Sequence, residues 1–279
     1  MRELSFTVTN EKDGRQIKSL LKSELEISGS VIKQLKNIHG GILLNGASVY
    51  TDVRAKSGDV ITVSIPTAVY KKNEYVIYED EDILIFDKPA EMSVHPAGLT
   101  GGEVTVKDVL QADKGFHPVN RLDRGTTGLM AIAKSGYAHD RLKSLLHTDA
   151  YVREYAAVLD GVPKKMCGRI ELPIKRIGAI ERAVAEDGAE AITDYKVISV
   201  RGGRAFVKLR LSTGRTHQIR VHMAAIGCPL TGDWLYGKED KSLIARPALH
   251  SWHINMLQPI TKKTVDVFAE IPSDMKMLI

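Results

Sequence analysis

The chain has 279 residues, with 39 Lys+Arg against 34 Asp+Glu, a net charge of +5 at pH 7. A content of 43% hydrophobic and 26% charged residues excludes a disordered or fibrous chain. No run nears the roughly 18 apolar residues of a membrane helix. Two cysteines, Cys167 and Cys228, make no disulfide framework, and the alternating charged start is not a secretory signal. A cytoplasmic chain without a membrane partner is expected.

In chain order, Ile17, Leu20, Leu21 and Leu25 recur at helical spacing. Ser28 or Ser30 then caps a second helix whose apolar face is Val31, Ile32, Leu35 and Ile38. Gly40-Gly41 end that helix, Asn45-Gly46 mark a hairpin, and Val60 to Ile65 read as a strand ending at Pro66. Residues 1–66 therefore form a small α/β module, and 67–74 a short polar linker. Residues 75–279 read as one domain. Strands are predicted over Ile83–Phe86, Leu129–Ala133, Tyr155–Leu159, Ile192–Val200, Ala205–Leu211 and Val265–Ala269, with helices near 104–111, 137–147 and 216–226. Strict strand–helix alternation is missing, so the expected class is α+β, with a large mixed, mostly antiparallel sheet.

The chain has no dinucleotide glycine fingerprint, no P-loop, no H-E-x-x-H, no C-x-x-C and no G-x-S-x-G elbow. A chemistry free of cofactor, metal and nucleotide fits best. From Gly203 to His222 run Arg204, Lys208, Arg210, Arg215 and Arg220 without an acid. That strip suits an anionic partner or a solvated strand face. The densest polar cluster, His117 to Gly128, brackets Asp123 between Arg121 and Arg124 just before a strand. Such a carboxylate can serve as nucleophile or base, or simply cap a turn.

Arg121-Leu122-Asp123 followed by Gly125-Thr126-Thr127-Gly128-Leu129 resembles the central motif of the RluA/RluD-type RNA pseudouridine synthases. Other landmarks follow in the family's order: Asp87-Lys88-Pro89 with His95-Pro96, Arg153-Glu154-Tyr155, Ala191 to Tyr195, Thr213 to His222 with Gly232-Asp233 and Tyr236-Gly237, and Ala248-Leu249-His250. The resemblance covers about 200 residues. Asn120 departs from it, since the family often has His there, and Arg153 stands where it often has Lys. In the N-terminal region, Ser28 to Lys33, Asn45-Gly46 and Gly58-Asp59 resemble the small RNA-binding domain of ribosomal protein S-four.

The resemblance implies conversion of uridine to pseudouridine in RNA without a cofactor. It makes Asp123 the essential carboxylate, Tyr155 the tyrosine that stacks on uracil, and Arg220 the partner that keeps Asp123 anionic. Arg121 would fill the space left by a flipped base, and Leu249 would line the base pocket. Arg215, His217 and Asn120 are expected on the substrate-binding surface, and Lys33, Lys36, Arg204 and Lys208 on RNA. Lys88 and His95 are read as loop anchors. Ribosomal RNA is the favoured partner, transfer RNA the alternative, and a catalytically idle RNA-binding or ribosome-assembly factor the competing class. No metal site and a monomer are expected. A chain starting near Glu74 is expected to fold but to lose RNA affinity.

Overall fold

The computed structural model describes residues 1–96, 102–112 and 115–279. The first elements are β1 (Arg2–Thr7), α1 (Ile17–Glu24), α2 (Gly29–Leu35), β2 (Ile42–Leu44), β3 (Ala47–Ser48) and β4 (Val60–Ile65). The strands form one sheet in the order β1-β4-β2-β3. Ile17, Leu20 and Leu21 of α1 pack with Val31, Ile32 and Leu35 of α2 onto Ile61 and Val63. The Ser28 hydroxyl accepts from the Val31 amide at 3.4 Å, capping α2. Asn45 and Gly46 both take positive φ, 50° and 82°, as the two-residue turn between β2 and β3 requires. Strand β1 was not expected; its alternation of charged and apolar residues is that of a strand with one face buried.

The segment 67–74 differs from the expected polar linker. Tyr70 is buried in the main core of the larger domain. Its hydroxyl donates to the Gly115 carbonyl at 2.7 Å, and burial pushes the phenol up to about 12. Ala68 and Lys71 donate backbone bonds to Lys134 and Leu110. A chain starting near Glu74 therefore lacks a core aromatic. The N-terminal module is docked as well: Tyr137 sits in its core and donates to the Leu25 carbonyl at 2.9 Å, while Arg141 pairs with Glu26.

The rest of the chain supplies β5 (Val76–Glu79), β6 (Ile83–Lys88), α3 (Val106–Val109), β7 (His117–Pro118), β8 (Thr127–Ala133), α4 (Gly136–Leu145), β9 (Tyr151–Asp160), β10 (Cys167–Glu171), β11 (Ile174–Arg176), β12 (Arg182–Val184), β13 (Ile192–Arg201), β14 (Arg204–Leu211), α5 (Gln218–Ala225), β15 (Leu249–Leu257), β16 (Thr264–Phe268) and α6 (Ser273–Lys276). A ten-stranded sheet runs β10-β13-β14-β9-β15-β8-β6-β5, with β16 beside β15 and β7 beside β8. Its one parallel pair among the described residues is β15 with β8; the other pairs are antiparallel, so the fold is the expected α+β with a mixed sheet. None of the helices described is long and apolar enough to cross a membrane.

Strand β8 is buried on both faces. Met130 and Ile132 enter the core shared with Tyr155 and Leu249, while Leu129 and Ala131 enter the core beside Ala138 and Leu142 of α4. That double burial is why β8 reads as a continuous apolar run. Where β8 meets β15, Gly128 has φ 103°, and a Cβ there would lie 2.2 Å from the Ser251 carbonyl oxygen. Only glycine permits that approach. It holds the loop preceding β8 beside the start of β15.

Candidate active site

That loop carries Asp123. Two buried cations fasten its backbone. Lys88 donates to the carbonyls of Pro89, Met92 and Arg124 at 2.8, 2.9 and 3.1 Å. Burial lowers its amine to about 7, yet three carbonyls around one nitrogen call for three protons, so the bonding favours the ammonium form. Arg246 is bidentate on Asp274 at 2.8 and 2.9 Å. Its third nitrogen reaches the Gly125 and Leu249 carbonyls at 3.4 and 3.1 Å. The residues just after Asp123 are thus tied to β6, to the start of β15 and to α6.

Asp123 opens onto a cleft of about 820 Å³. The walls include Asn120, Arg121, Tyr155, Arg215, His217, Arg220 and Leu249, so one site collects eight of the residues singled out in the sequence, Asp123 included. Asp123 is the only acid among the described lining residues; five Arg or Lys and four His share the walls. The Asp123 side chain is 30% exposed, which leaves it open to a substrate. Tyr155 is buried, which raises its phenol; the Arg153 cation opposes that rise.

Arg220 meets Asp123, as expected, but only at the outer limit of an ion pair, and its main partner is another carboxylate. Its guanidinium is bidentate on the fully buried Asp233, at 2.8 and 2.7 Å. Only Nη1 faces Asp123, 4.0 Å from Oδ2. Burial opposes the guanidinium's charge, but the Asp233 hydrogen bonds and charge outweigh it and hold the pKa up. Asp233 also accepts from the Leu235 and Tyr236 amides at 3.0 and 3.2 Å. Arg220 is therefore fixed by one carboxylate while presenting an edge to another. Arg124, the other sequence neighbour of Asp123, turns away to Glu91 and Glu103.

His217 approaches Asp123 too, with Nε2 3.9 Å from Oδ2. Its Nδ1 lies 2.9 Å from the Tyr236 hydroxyl, and that oxygen accepts from the Arg182 amide at 2.9 Å. The amide takes one lone pair, which leaves the phenol free to give its proton to Nδ1 or to accept one from it. With Nδ1 as the acceptor, neutral His217 carries its proton on Nε2, facing Asp123. Burial lowers the His217 pKa; Asp123 and Asp233 pull it back up, and Arg220 and Arg182 push it down. The residue has φ 58° at the cap of α5, a backbone state that costs about 1–3 kcal/mol and clusters at functional sites.

Arg121 is exposed on the cleft wall. Asn120 is buried, its Oδ1 accepting from the Ala131 amide at 2.9 Å. The basic strip splits. Alternation along β14 buries Leu209 with Tyr155 and puts Lys208 and Arg210 on the opposite face. Lys208 lies 4.0 Å over the Trp252 ring, and Arg204 pairs with Asp160, so neither is among the cleft residues. Lys33 and Lys36 are exposed on and just after α2.

The profile described as RNA pseudouridylate synthase matches residues 82–225. The chain belongs to the RNA pseudouridylate synthase family. It is 36% identical to "Uncharacterized RNA pseudouridine synthase YjbO" of Bacillus subtilis, over 92% of this chain and 95% of that one. It is 34% identical to "Ribosomal large subunit pseudouridine synthase D" of Zymomonas mobilis, over 98% and 95%. The fold matches human RNA pseudouridylate synthase domain containing 4 with a TM-score of 0.58 at 23% identity, over 72% of this chain and 90% of that one. The chain is an RNA pseudouridine synthase of the RluA/RluD type.

Within this synthase, the sequence reading gave no role to Asp233, Tyr236 or Arg246. The first two lie in the stretch from Gly232 to Gly237, which the motif comparison had marked. Their partners are 13 and 19 residues away, across a turn that no local pattern reports. Nothing in the sequence around Arg246 points to the Asp123 loop, which is 121 residues distant at Gly125.

Proposed function

We propose that this synthase isomerises specific uridines of structured RNA, with large-subunit ribosomal RNA as its target and the cytoplasm as its place of work. The names of relatives that span nearly the whole chain support the ribosomal target. The observation that carries the chemistry is a cleft whose one acid among the described residues, Asp123, faces solvent among Arg220, His217, Tyr155 and Leu249. A volume near 820 Å³ suits one nucleotide rather than a duplex.

The uridine is flipped into the cleft, at a cost of a few kcal/mol that is smaller in a loop. Tyr155 stacks on the uracil, Leu249 lines its pocket, and Arg121 takes the vacated place in the RNA. Asp123 acts on C1′ as the N1–C1′ bond breaks and the electron pair stays with uracil. The ring turns, C5 bonds to C1′, the C5 proton leaves, and N1 takes up a proton. Atoms and charge balance without an added reactant. The N-terminal module, in its likeness to the S-four domain, presents Lys33 and Lys36 to RNA, so affinity falls steeply with salt.

The test is release of tritium from C5-labelled uridine in unmodified ribosomal and transfer RNA. Wild type is expected to release it from large-subunit RNA. Asp123→Asn is expected to lose at least ~10⁴-fold in rate, the scale of removing a reacting carboxylate. Release from transfer RNA alone would redirect the target. Equal release by the variant would end the assignment of Asp123.

A further inference from the structure

Arg153 is a buried cation that the chemistry above does not use. It lies on β9 two residues before Tyr155, so alternation sends both side chains to the same face, and both line the cleft. The residue is only 3% exposed. Among the described residues no carboxylate lies within ion-pair distance of it. Its one hydrogen bond is Nη2 to the Leu146 carbonyl at 3.3 Å, at the C-terminal end of α4. A helix end offers roughly half a negative charge. The Tyr151 ring centre is 5.9 Å away, and Nε has no partner.

A second donor on this wall is also unused. The Ala131 amide needs an acceptor, so it fixes the Asn120 amide with Oδ1 inward, and Nδ2 is left buried without a partner. Opposite Arg153 stands Gly214, where a Cβ would come 3.2 Å from Nη1; glycine keeps that side of the guanidinium open. Lys143, His147 and Arg215 line the same cleft. A buried guanidinium without a counter-charge is costly in the free protein. An incoming anion removes that cost.

We infer that Arg153, with Asn120 beside it, forms a subsite for one backbone phosphate of the RNA, that of the uridine entering the cleft or of its neighbour. This rests on reading the cleft as a site for RNA. RNA carries its negative charge on phosphates, and the planar guanidinium suits two of a phosphate's oxygens at once. Two positions along β9 put Arg153 about 7 Å from Tyr155, one nucleotide's reach from a base stacked there.

The experiment compares wild type, Arg153→Met and Arg153→Lys on the shortest in vitro transcript of large-subunit ribosomal RNA that wild type binds. For Arg153→Met, Kd at moderate salt is expected to rise about tenfold. The slope of log affinity against log salt should shrink by about 0.7–0.9, the loss of one phosphate contact. The free variant should resist urea as well as wild type or better, since a buried charge has gone. Arg153→Lys should keep the wild-type slope. A neutral methylphosphonate, walked through the linkages around the modified uridine, should weaken wild type at one position and leave Arg153→Met indifferent there. An unchanged salt slope in Arg153→Met, or a variant that loses urea stability and RNA affinity together, would overturn the inference. Tritium release by wild type judges the isomerase reading separately, because the salt slope reports the phosphate contact with or without turnover.

Discussion

The two sides of the cleft treat buried charge in opposite ways. On the Asp123 side, each buried cation has its partners. Arg220 is locked on Asp233, Arg246 on Asp274, and Lys88 on three carbonyls. On the side of β9 and α4, Arg153 has a single long hydrogen bond, and the Asn120 nitrogen has none. Where charges are paired, position is fixed before substrate arrives, which is what chemistry at one carbon needs. Where they are not, the protein bears a cost that a polyanion relieves on binding.

The comparison breaks most sharply at Asp233. Asp233→Asn leaves the Arg220 guanidinium, only 5% exposed at its side chain, without its charge partner. Removing one half of a buried pair costs about 3–5 kcal/mol. A large fall in the urea midpoint with an unchanged m-value is expected. Asp123→Asn serves as the control. Its carboxylate is 30% exposed and stands 4.0 Å from Arg220, so stability should change by less than about 1 kcal/mol. Equal destabilisation by the two variants would mean that Arg220 belongs to Asp123 after all.

The paired side also sets a pH limit on stability. His250 is buried, with Nδ1 2.8 Å from the Thr127 hydroxyl. Burial, reinforced by the Arg246 charge, lowers its pKa to about 4, against about 6.5 for a free imidazole. As pH falls below 6.5 the unfolded chain takes up a proton that the folded one refuses until about pH 4. The contribution is complete above pH 6.5 and is lost on the acid side. Between pH 6.5 and 5 the loss from this one group is about 2 kcal/mol. Urea titrations at the two pH values should show it, and His250→Asn should reduce the slope by that amount. A slope unaltered by the substitution would remove His250 from the account.

The sequence disclosed these two sides unequally. The residues proposed to meet substrate lie inside short motifs whose spacing is local, and Asp123, Tyr155, His217, Arg220 and Leu249 line one cleft. Helices α1, α2, α4 and α5 and the strands with strong apolar runs fall within a few residues of their predicted bounds. Strand β15 was missed, although it lies in the middle of the sheet. Polar His250, His253 and Asn255 interrupt its apolar pattern because they bond sideways to Thr127 and Asp266. Tyr70 was missed because a core aromatic within Lys and Asn residues looks like a linker. The closer partner of Arg220 was missed for a related reason: two carboxylates lie within reach, and only the turn from Asp233 to Tyr236 decides which receives the fork.

The smallest expected effect is the most specific, because it concerns one proton. The Tyr236 hydroxyl receives a hydrogen from Arg182 and, with neutral Nδ1 as acceptor, gives its own to His217. Protonating His217 puts a hydrogen on Nδ1, so the phenol must turn its own hydrogen away and accept on both lone pairs. Tyr236→Phe lifts that penalty. Burial and the charges of Arg220 and Arg182 remain, as do Asp123 and Asp233, so the His217 pKa should rise toward its ordinary value. An imidazolium 3.9 Å from Asp123 would draw charge from the carboxylate proposed to act on C1′. The acid limb of kcat/KM for tritium release should move to higher pH by the same amount, with activity near wild type on the alkaline side. In His217→Gln, which keeps a nitrogen donor but does not titrate, this shift should be absent. A uniform loss at every pH in Tyr236→Phe would instead make the tyrosine a packing residue, and the proton on Nε2 would have no part in holding Asp123.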